Sequence, residues 1–547
     1  MSGISMYADR VFKNGRIVTV DEKDSVCSAL AVKGRYILCV GEPENMASLI
    51  GPDTEVIDLK GRTMTPGFID AHCHPILSGL MGDVIKDIYY PGVKSIRQIK
   101  EIIAQEAKKV PEGTWIKLWG YDANKVEEKR HVTIEDLDEA APNHPVQCLQ
   151  ASGHLIVYNS LAFRMAGITA EDRKGFKDDE IIVENGKLTG MTQDLGAFYL
   201  WSKVGYTREE MQIALDKMNR ELLAFGVTSV HDPGEFDAPS YRMMQESCRN
   251  RSFKPRVYEM LHSVYGKPFS RKDVDDFIGL GLVSGLGDEY FRFGTCKFMI
   301  DGGTSGPSSL MRENYSHEPE KNGVMSFTQD EVDELIAKIH DAGCQASAHA
   351  VGDAAVDMML EGYEKAQKAN YRPPEEHRHR IEHCAFADHE TIKRLKEMGI
   401  IPAVNPAFLT IHGSNYNKFY EERTQRFAAL RDMIDAGVRA CITSDSPSAD
   451  ANVMRGIDAA VNRRDWQSGE YVGKNQAVSV LEAIRCYTIN PAYASFEEKI
   501  KGSLEPGKLA DMVIFDRDIL SCPKEDLRDV KVDVTIMDGK DVYVREG

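Results

Sequence analysis

The chain has 547 residues, a formal net charge of −18 and 42% hydrophobic residues, a composition typical of a folded globular protein. The excess of acidic residues argues against nucleic acid as a partner, because phosphate binding needs a basic surface. No apolar run is long enough to cross a membrane, the first residues lack the order of a secretory signal, and the eleven cysteines form no CxxC pair. We therefore expect a cytoplasmic protein without a membrane partner.

Both ends of the chain have the pattern of short β-strands. Val11–Val20 contains an Asn-Gly pair between two apolar runs, which predicts a hairpin. At the other end, Asp511–Phe515 and Val532–Met537 are apolar runs of strand length. Two β-rich ends around a different middle predict one discontinuous β-sandwich domain, formed by residues 1–64 and 499–547.

The middle of the chain, residues 65–498, alternates short apolar runs with amphipathic helices, which is typical of βα units and a parallel sheet. Helices are predicted, for example, at Gln329–Ala342 and Asp388–Met398. Eight such units favour an α/β fold of the (β/α)8 TIM barrel type. The predicted strands are Thr65–His74, Val227–Asp232, Arg256–Ser263, Arg292–Gly302, Gln345–Val351, Arg380–Cys384, Ile400–Pro406 and Arg439–Asp445. The gap between the first two strands is too long for one helix, so we predict an α/β insertion at about 80–206.

Two histidines close the first predicted strand, in the segment Phe68-Ile69-Asp70-Ala71-His72-Cys73-His74. Alternation along a strand directs His72 and His74 to the same side, so both imidazoles can reach one ion. The alternative is a pair of ordinary strand histidines, and HxH alone leaves the two interpretations about evenly matched.

Four further polar residues lie at or near the ends of other predicted strands. His349 and His383 end the fifth and sixth strands, and Asp445 ends the eighth. Lys297 lies in the fourth strand among apolar neighbours, where a charged amine is costly to bury. Each has an ordinary structural explanation: a core histidine, a helix cap, or a lysine stem that reaches solvent. Their joint occurrence, one group per strand, favours a site at the C-terminal mouth of the barrel.

Taken together, these segments resemble the amidohydrolase superfamily. The finer resemblance is to its YtcJ-like branch, which includes N-substituted formamide deformylase. It covers nearly the whole chain and rests on PGFIDAHCH, Leu118–Asp122, Asp136–Asp138, Ser152–Ser160, Lys297–Gly302, His349–Asp353, Arg380–His383, Ser444–Pro447 and Gly502–Asp511.

The resemblance implies a metal-dependent hydrolase that cleaves an amide or cyclic amide C–N bond with metal-activated hydroxide. It implies one or two divalent ions, with zinc favoured by the histidine-rich set. His72 and His74 would hold the first ion, and His349 and His383 the second. Lys297, N6-carboxylated, would bridge both ions. Asp445 would bind the first ion and act as the catalytic base.

The resemblance also indicates residues that contact a small-molecule substrate. His154, Trp119 and Tyr121 lie in the insertion, and Asp301 follows the fourth strand. An aromatic cluster is more often part of a core, and His154 is as often explained by a structural hydrogen bond as by substrate contact. Members of the superfamily are often dimers, so a homodimer is a further expectation.

Two other functions stay open. A single-metal deaminase of the same superfamily usually has a glutamate in an HxxE pattern after the fifth-strand histidine, but His349 is followed by Ala350, Val351 and Gly352. Lys297 would also have no role in a deaminase. A regulatory relative without catalysis would be expected to have lost ligands, yet all six expected groups are present.

Overall fold

The computed structural model describes residues 7–546, except 152, 154, 236, 263–272 and 305–307. Its centre is a parallel sheet of eight strands in which each strand pairs with the next along the chain. In chain order the strands are Phe68–Asp70, Val227–Asp232, Arg256–His262, Phe291–Met299, Gln345–Ala350, Arg380–His383, Ile401–Val404 and Cys441–Ile442. We number them barrel strands one to eight. The short strand Leu286–Gly287 adds an antiparallel partner to strand four.

Contacts after strands one and eight nearly close this sheet into a barrel. The backbone N–H of Asp445 donates to the carbonyl of His72 at 2.8 Å, and the Thr443 hydroxyl donates to the same carbonyl at 2.6 Å. The predicted (β/α)8 fold is therefore confirmed. These contacts also bring the segments after the two strands together, where the candidate ligands lie.

Helices cover the outside of the barrel and begin where the sequence provides caps. Thr328 and Asp388 accept backbone hydrogen bonds at the N-termini of Gln329–Asp341 and His389–Met398, close to the predicted starts. Outside the insertion between strands one and two, the other α-helices that follow strand one are Pro75–Leu80, Arg208–Ala224, Ala238–Arg249, Asp273–Gly279, Asp353–Ala369, Pro374–His377, Leu409–Tyr420, Leu430–Asp435, Val453–Asn462, Val480–Cys486 and Ile489–Ala494.

Strands from both termini form one mixed sheet of eight strands, as the sequence predicts for a shared β-rich unit. They are Arg10–Val18, Val26–Lys33, Tyr36–Gly41, Glu55–Asp58, Thr63–Pro66, Met512–Phe515, Val532–Met537 and Lys540–Val544. The helix Pro43–Met46 lies against this sheet. The buried pair Arg256 and Asp511, with Nε to Oδ2 at 2.7 Å, fastens this unit to the start of barrel strand three.

The hairpin predicted at Asn14-Gly15 is wrong. The strand Arg10–Val18 continues through this pair, and its register with the neighbouring strand shifts between Lys13 and Ile17. A Cβ atom on Gly15 would lie 2.3 Å from Cδ1 of Leu59, so the glycine permits close packing rather than a chain reversal.

The first predicted barrel strand, Thr65–His74, is divided in two. Thr63–Pro66 joins the terminal sheet, and Phe68–Asp70 joins the barrel. The break lies at Gly67, where a Cβ atom would lie 2.2 Å from Oγ1 of Thr228. The two histidines therefore follow the strand instead of lying within it.

An insertion with its own six-stranded sheet separates barrel strands one and two, as predicted. Its strands are Lys86–Asp87, Ile116–Tyr121, Val146–Gln150, Leu155–Tyr158, Ile181–Glu184 and Lys187–Gln193. The accompanying helices are Ile96–Ala107, Ile134–Ala140, Ser160–Ala166 and Asp194–Trp201. Within the described ranges, every helix is too short or too polar to span a bilayer.

Candidate metal centre

The C-terminal mouth of the barrel gathers nitrogen and oxygen atoms from three separate strand ends. One side-chain ligand atom each of His72, His383 and Asp445 lies within 4.8 Å of the others. The rings of His72 and His383 are 5.0 Å apart, centroid to centroid. These residues are more than 370 positions apart at the extremes, so only the barrel topology brings them together.

A buried network sets the orientation of the His72 ring. Nδ1 of His72 lies 2.8 Å from Oε2 of Glu382, and Arg380 holds the same carboxylate through Nε at 2.8 Å and Nη2 at 3.0 Å. Because a carboxylate only accepts hydrogen bonds, Nδ1 carries the proton and the lone pair is on Nε2. Nε2 faces Oδ1 of Asp445 at 3.4 Å. This is how proteins fix a histidine for metal binding.

The ring of His383 is held in a similar way. Its Nδ1 lies 2.7 Å from Oδ1 of Asn405, the residue directly after barrel strand seven.

Burial, followed by the charge of Lys297, lowers the pKa of His72 to about 3. Burial also lowers the pKa of His383. Both imidazoles are therefore neutral near pH 7, the form that binds a metal.

Asp445 is the negative group of the cluster. Burial alone would raise its pKa, but the hydrogen bond with His74 and the charges of the neighbouring histidines outweigh burial and hold it below the ordinary value. Nε2 of His74 lies 3.6 Å from Oδ1 of Asp445. Asp445 and His383 both adopt positive φ, 53° and 75°, which is uncommon for residues other than glycine and occurs often at functional sites.

Lys297 from barrel strand four reaches the same cluster. Its Nζ lies 3.3 Å from Nε2 of His72. Burial lowers the pKa of the amine to about 8, although the charges of Glu382 and Asp445 act in the opposite direction. A lysine with a lowered pKa keeps a larger share of neutral, nucleophilic amine at neutral pH.

His349 lies at the side of the cluster. Its ring centroid is 4.4 Å from that of His383. Its Nε2, however, is 3.3 Å from the carbonyl oxygen of Gly302 and 3.8 Å from Oδ1 of Asp301. His349 is thus adjacent to the three clustered residues but outside their common 4.8 Å group.

A cavity of about 780 Å³, part of it open to solvent, leads to these groups. Five aromatic side chains line it: Tyr89, Trp119, Phe408, Tyr416 and Phe427. Its polar lining comes mainly from Thr304, His349, His383, Asn405, His412, Asp445 and Ser448. Among the described lining residues there is no lysine or arginine.

The four predicted substrate contacts have different positions. Trp119 lines the cavity. Tyr121 lies in the core of the insertion, 1% exposed, with its hydroxyl 3.1 Å from Nδ1 of His131. Asp301 is fully buried, and its carboxylate accepts N–H bonds from Leu310, Val351 and Gly352. Tyr121 and Asp301 are not among the described residues that line the cavity. His154 lies outside the described residues.

Two supporting residues, Glu382 and Asn405, are absent from the predicted site. Glu382 stands in the Arg-Ile-Glu-His segment, where strand alternation places it on the same face as Arg380, so the pattern contains a signal. The signal for Asn405 is weaker, since only its position after barrel strand seven indicates the mouth. Nδ1 of the buried His231 lies 2.8 Å from Nη1 of Arg380.

Fold and site together define a barrel protein with a histidine- and carboxylate-rich centre at the mouth. The sequence matches the amidohydrolase family over residues 55–543. Because this match covers most of the chain, the protein belongs to the amidohydrolase family.

Full-length relatives agree with this membership. The chain is 29% identical to N-substituted formamide deformylase of Arthrobacter pascens, covering 100% of both chains. It is 26% identical to the putative amidohydrolase YtcJ of Bacillus subtilis, covering 97% of this chain and 99% of the relative. A metal-dependent hydrolase from Pyrococcus horikoshii has the same fold, with a TM-score of 0.76, 22% identity, and coverage of 94% of this chain and 99% of its own.

Proposed function

We propose that this protein hydrolyses the C–N bond of a neutral, small-molecule amide at a divalent metal centre, for which zinc is the favoured ion. The observation that supports it best is the convergence of two oriented imidazoles and a carboxylate at the inner end of the cavity. His72 and His383 each direct Nδ1 to a fixed acceptor, which leaves the lone pair on Nε2, and that of His72 faces Asp445 and Lys297 at the centre of the cluster. The donor set of two imidazole nitrogens and an aspartate oxygen suits zinc.

In this proposal the six polar groups of the mouth have distinct roles. His72, His74 and Asp445 would hold one ion, and His349 and His383 would hold a second where it is present. Lys297 would contribute to both positions. When bound, the metal makes water more acidic and polarises the scissile carbonyl. Asp445 takes the proton of the attacking water at a carboxylate oxygen, and returns a proton to the departing nitrogen.

We propose further that Lys297 is carboxylated in the protein with two ions. An ammonium group beside two divalent cations would be repelled, by about 8 kcal/mol per contact at 4 Å and an effective dielectric near 20. The neutral amine attacks carbon dioxide, a proton is released, and the resulting carbamate offers two oxygens that share one negative charge. The position of Nζ, 3.3 Å from Nε2 of His72, supports this role for Lys297.

The cavity supports a neutral substrate with an apolar or aromatic substituent. Trp119, Phe408 and Phe427 present apolar surface, and the described lining residues include no lysine or arginine side chain that could pair with a substrate carboxylate away from the metal centre. The likeness to N-substituted formamide deformylase supports an open-chain amide as the first substrate to test.

The test is a substrate panel with metal-loaded protein. N-formyl, N-acyl and cyclic amides should be compared, and amine and acid products quantified separately from ammonia. We expect amine release from at least one neutral amide and much slower turnover of its carboxylate-bearing analogue. Ammonia release from an amino-substituted ring would instead indicate a deaminase. Full metal occupancy without turnover on any amide would contradict the proposal.

Carboxylation of Lys297 has an independent test. Protein equilibrated with carbon-13-labelled bicarbonate should show a carbamate resonance that is absent from Lys297→Ala. The variant should lose turnover, and short carboxylic acids should restore part of it by occupying the place of the carbamate. An unmodified Lys297 in fully metallated, active protein would refute the modification but leave the hydrolase proposal standing.

A further inference from the structure

A second buried polar cluster lies between barrel strands two and three. Asp232 ends strand two, and Glu259 is its direct partner in the neighbouring strand. Glu235 follows Asp232 by three residues. One carboxylate oxygen from each residue lies within 4.8 Å of the others. All three side chains are buried, with exposed fractions of 1% for Asp232, 4% for Glu235 and 0% for Glu259.

Within the described part of the chain, three carboxylate oxygens of Glu259 and Asp232 lack the hydrogen-bond partners that buried charges normally have. Neither oxygen of Glu259 has a hydrogen-bond partner among the described residues, and the same holds for Oδ2 of Asp232. Oδ1 of Asp232 accepts the N–H of Gly234 at 3.1 Å. Burial, together with the charges of Asp232 and Glu235, raises the pKa of Glu259 well above its ordinary value. Unpaired buried carboxylates are strongly unfavourable, so they must bind either protons or a cation.

The dimensions of the cluster suit an ion. Two oxygens on opposite sides of Ca²⁺, each about 2.3–2.6 Å from it, are at most about 5 Å apart. The oxygens of the cluster, all within 4.8 Å of one another, satisfy this limit. The donors are oxygens only, which favours a hard cation over zinc or copper. Three carboxylates can each bind through two oxygens, which approaches the six to eight ligands of Ca²⁺, whereas Mg²⁺ tends to keep several waters.

We propose that Asp232, Glu235 and Glu259 form a binding site for a structural divalent cation, with Ca²⁺ as the preferred ion. The site shares no residue with the histidine-rich centre. It ties barrel strand two to strand three and fixes the segment that leads from Asp232 towards the helix Ala238–Arg249. The cation offsets the negative charge that these residues place in the barrel wall.

The first experiment measures metal content. Wild type, Glu259→Gln and His72→Ala are purified from medium supplemented with CaCl2, dialysed, and analysed by elemental mass spectrometry. We expect one calcium per chain in wild type and in His72→Ala, and none in Glu259→Gln. Asp458→Asn is the control, since that buried carboxylate is satisfied by Asn462 and Trp466. It should keep its calcium. Wild type without calcium would overturn the proposal.

The main measurement of the second experiment uses the wild-type protein, so it does not depend on whether a variant folds. The melting temperature of wild type that has been treated with EGTA and then dialysed is measured with increasing CaCl2, and we expect a saturable rise of several degrees, because a ligand that binds only the folded state stabilises it. If protons neutralise the cluster instead, added calcium leaves the melting temperature unchanged. Glu259→Gln, which resembles a protonated glutamate, would then be as stable as wild type. That result would refute the cation site and leave the hydrolase proposal unaffected.

Discussion

Buried histidines lie at both ends of the barrel, and the two groups differ in what their ring nitrogens do. At the mouth, His72 and His383 each use Nδ1 for one fixed partner and keep Nε2 for the cluster with Asp445. At the opposite end, Nδ1 of His379 accepts the N–H of Ala346 at 2.9 Å, and its Nε2 lies 2.9 Å from Nδ1 of His340.

His340 and His379 therefore have no ring nitrogen to offer an ion, and Nδ1 of His377, the third base histidine, accepts the N–H of His379 at 3.0 Å. Nε2 of His340 lies 2.6 Å from the carbonyl oxygen of Asn370, so the second ring nitrogen of His340 is also hydrogen-bonded. His379 is also stacked on Tyr363, with ring centroids 4.9 Å apart. Among the described residues, none of the base histidines belongs to a group placed to share an ion. Burial alone therefore does not distinguish a candidate metal ligand from a structural histidine. What distinguishes them is whether a ring-nitrogen lone pair is left for an ion.

The largest difference in metal content and turnover is expected when one histidine at each end of the barrel is replaced by alanine. His72→Ala should lose bound metal and reduce turnover to background, because the metal supplies both nucleophile and carbonyl polarisation. His379→Ala should lower the melting temperature but leave metal content and turnover per folded molecule unchanged. Metal analysis, circular dichroism and kinetics on both variants test this. Full activity in folded His72→Ala would contradict the assignment of His72 as a ligand.

The next largest effect is expected from a variant of Asp445 that separates its proposed role as a metal ligand from its proposed role as the catalytic base. Asp445→Asn should keep the fold and most of the metal, since an amide oxygen can still bind, but reduce kcat by about 10²–10⁴-fold because it cannot take the proton. Single-turnover kinetics with metal-loaded protein provide the measurement. A kcat near that of wild type would limit Asp445 to the role of a ligand.

A smaller effect is expected at the partner that orients His72. Glu382→Gln should weaken metal affinity by about 10–100-fold, the usual consequence of changing a residue that orients a ligand. Chelator competition measures the affinity. Glu497→Gln is the matched control, since Glu497 is also buried and paired, with Lys501 at 2.8 Å. If both variants changed the affinity equally, the effect would reflect general destabilisation.

The smallest effect concerns pH and the base of the barrel. Burial lowers the pKa of His377 to about 3 in the folded chain. In the unfolded chain the histidine pKa is near 6.5, so between these pH values His377 is protonated when unfolded and neutral when folded. Stability is therefore complete above about pH 6.5 and declines as the pH falls towards 3, by up to about 1.4 kcal/mol per pH unit for this group. His377→Gln should reduce that slope in urea unfolding between pH 7 and 5. An unchanged slope would show that His377 does not contribute.

Local sequence patterns were sufficient to predict the class of fold and the polar groups at the mouth of the barrel. Alternation of apolar runs with capped helices predicts eight strands, and the structure has a barrel strand within each predicted range or, for strand four, starting one residue before it. The reason is local: apolar periodicity and helix caps act over a few residues, so they can be recognised without knowing what packs against them. The resemblance of HxH, Lys297 and the terminal Gly502–Asp511 segment then indicated the family, which the family match confirms.

The arrangement of these groups depends on contacts between segments that are far apart in the sequence. No local pattern shows that Glu382 fixes His72, that Asn405 fixes His383, or that Tyr121 faces the core of the insertion. Asn14-Gly15 has the sequence of a turn, yet packing against Leu59 makes it part of a continuous strand. Asp232 and Glu259 meet because neighbouring parallel strands are in register. Orientation, register and partnership arise between segments distant along the chain, and barrel closure places those segments within hydrogen-bonding distance.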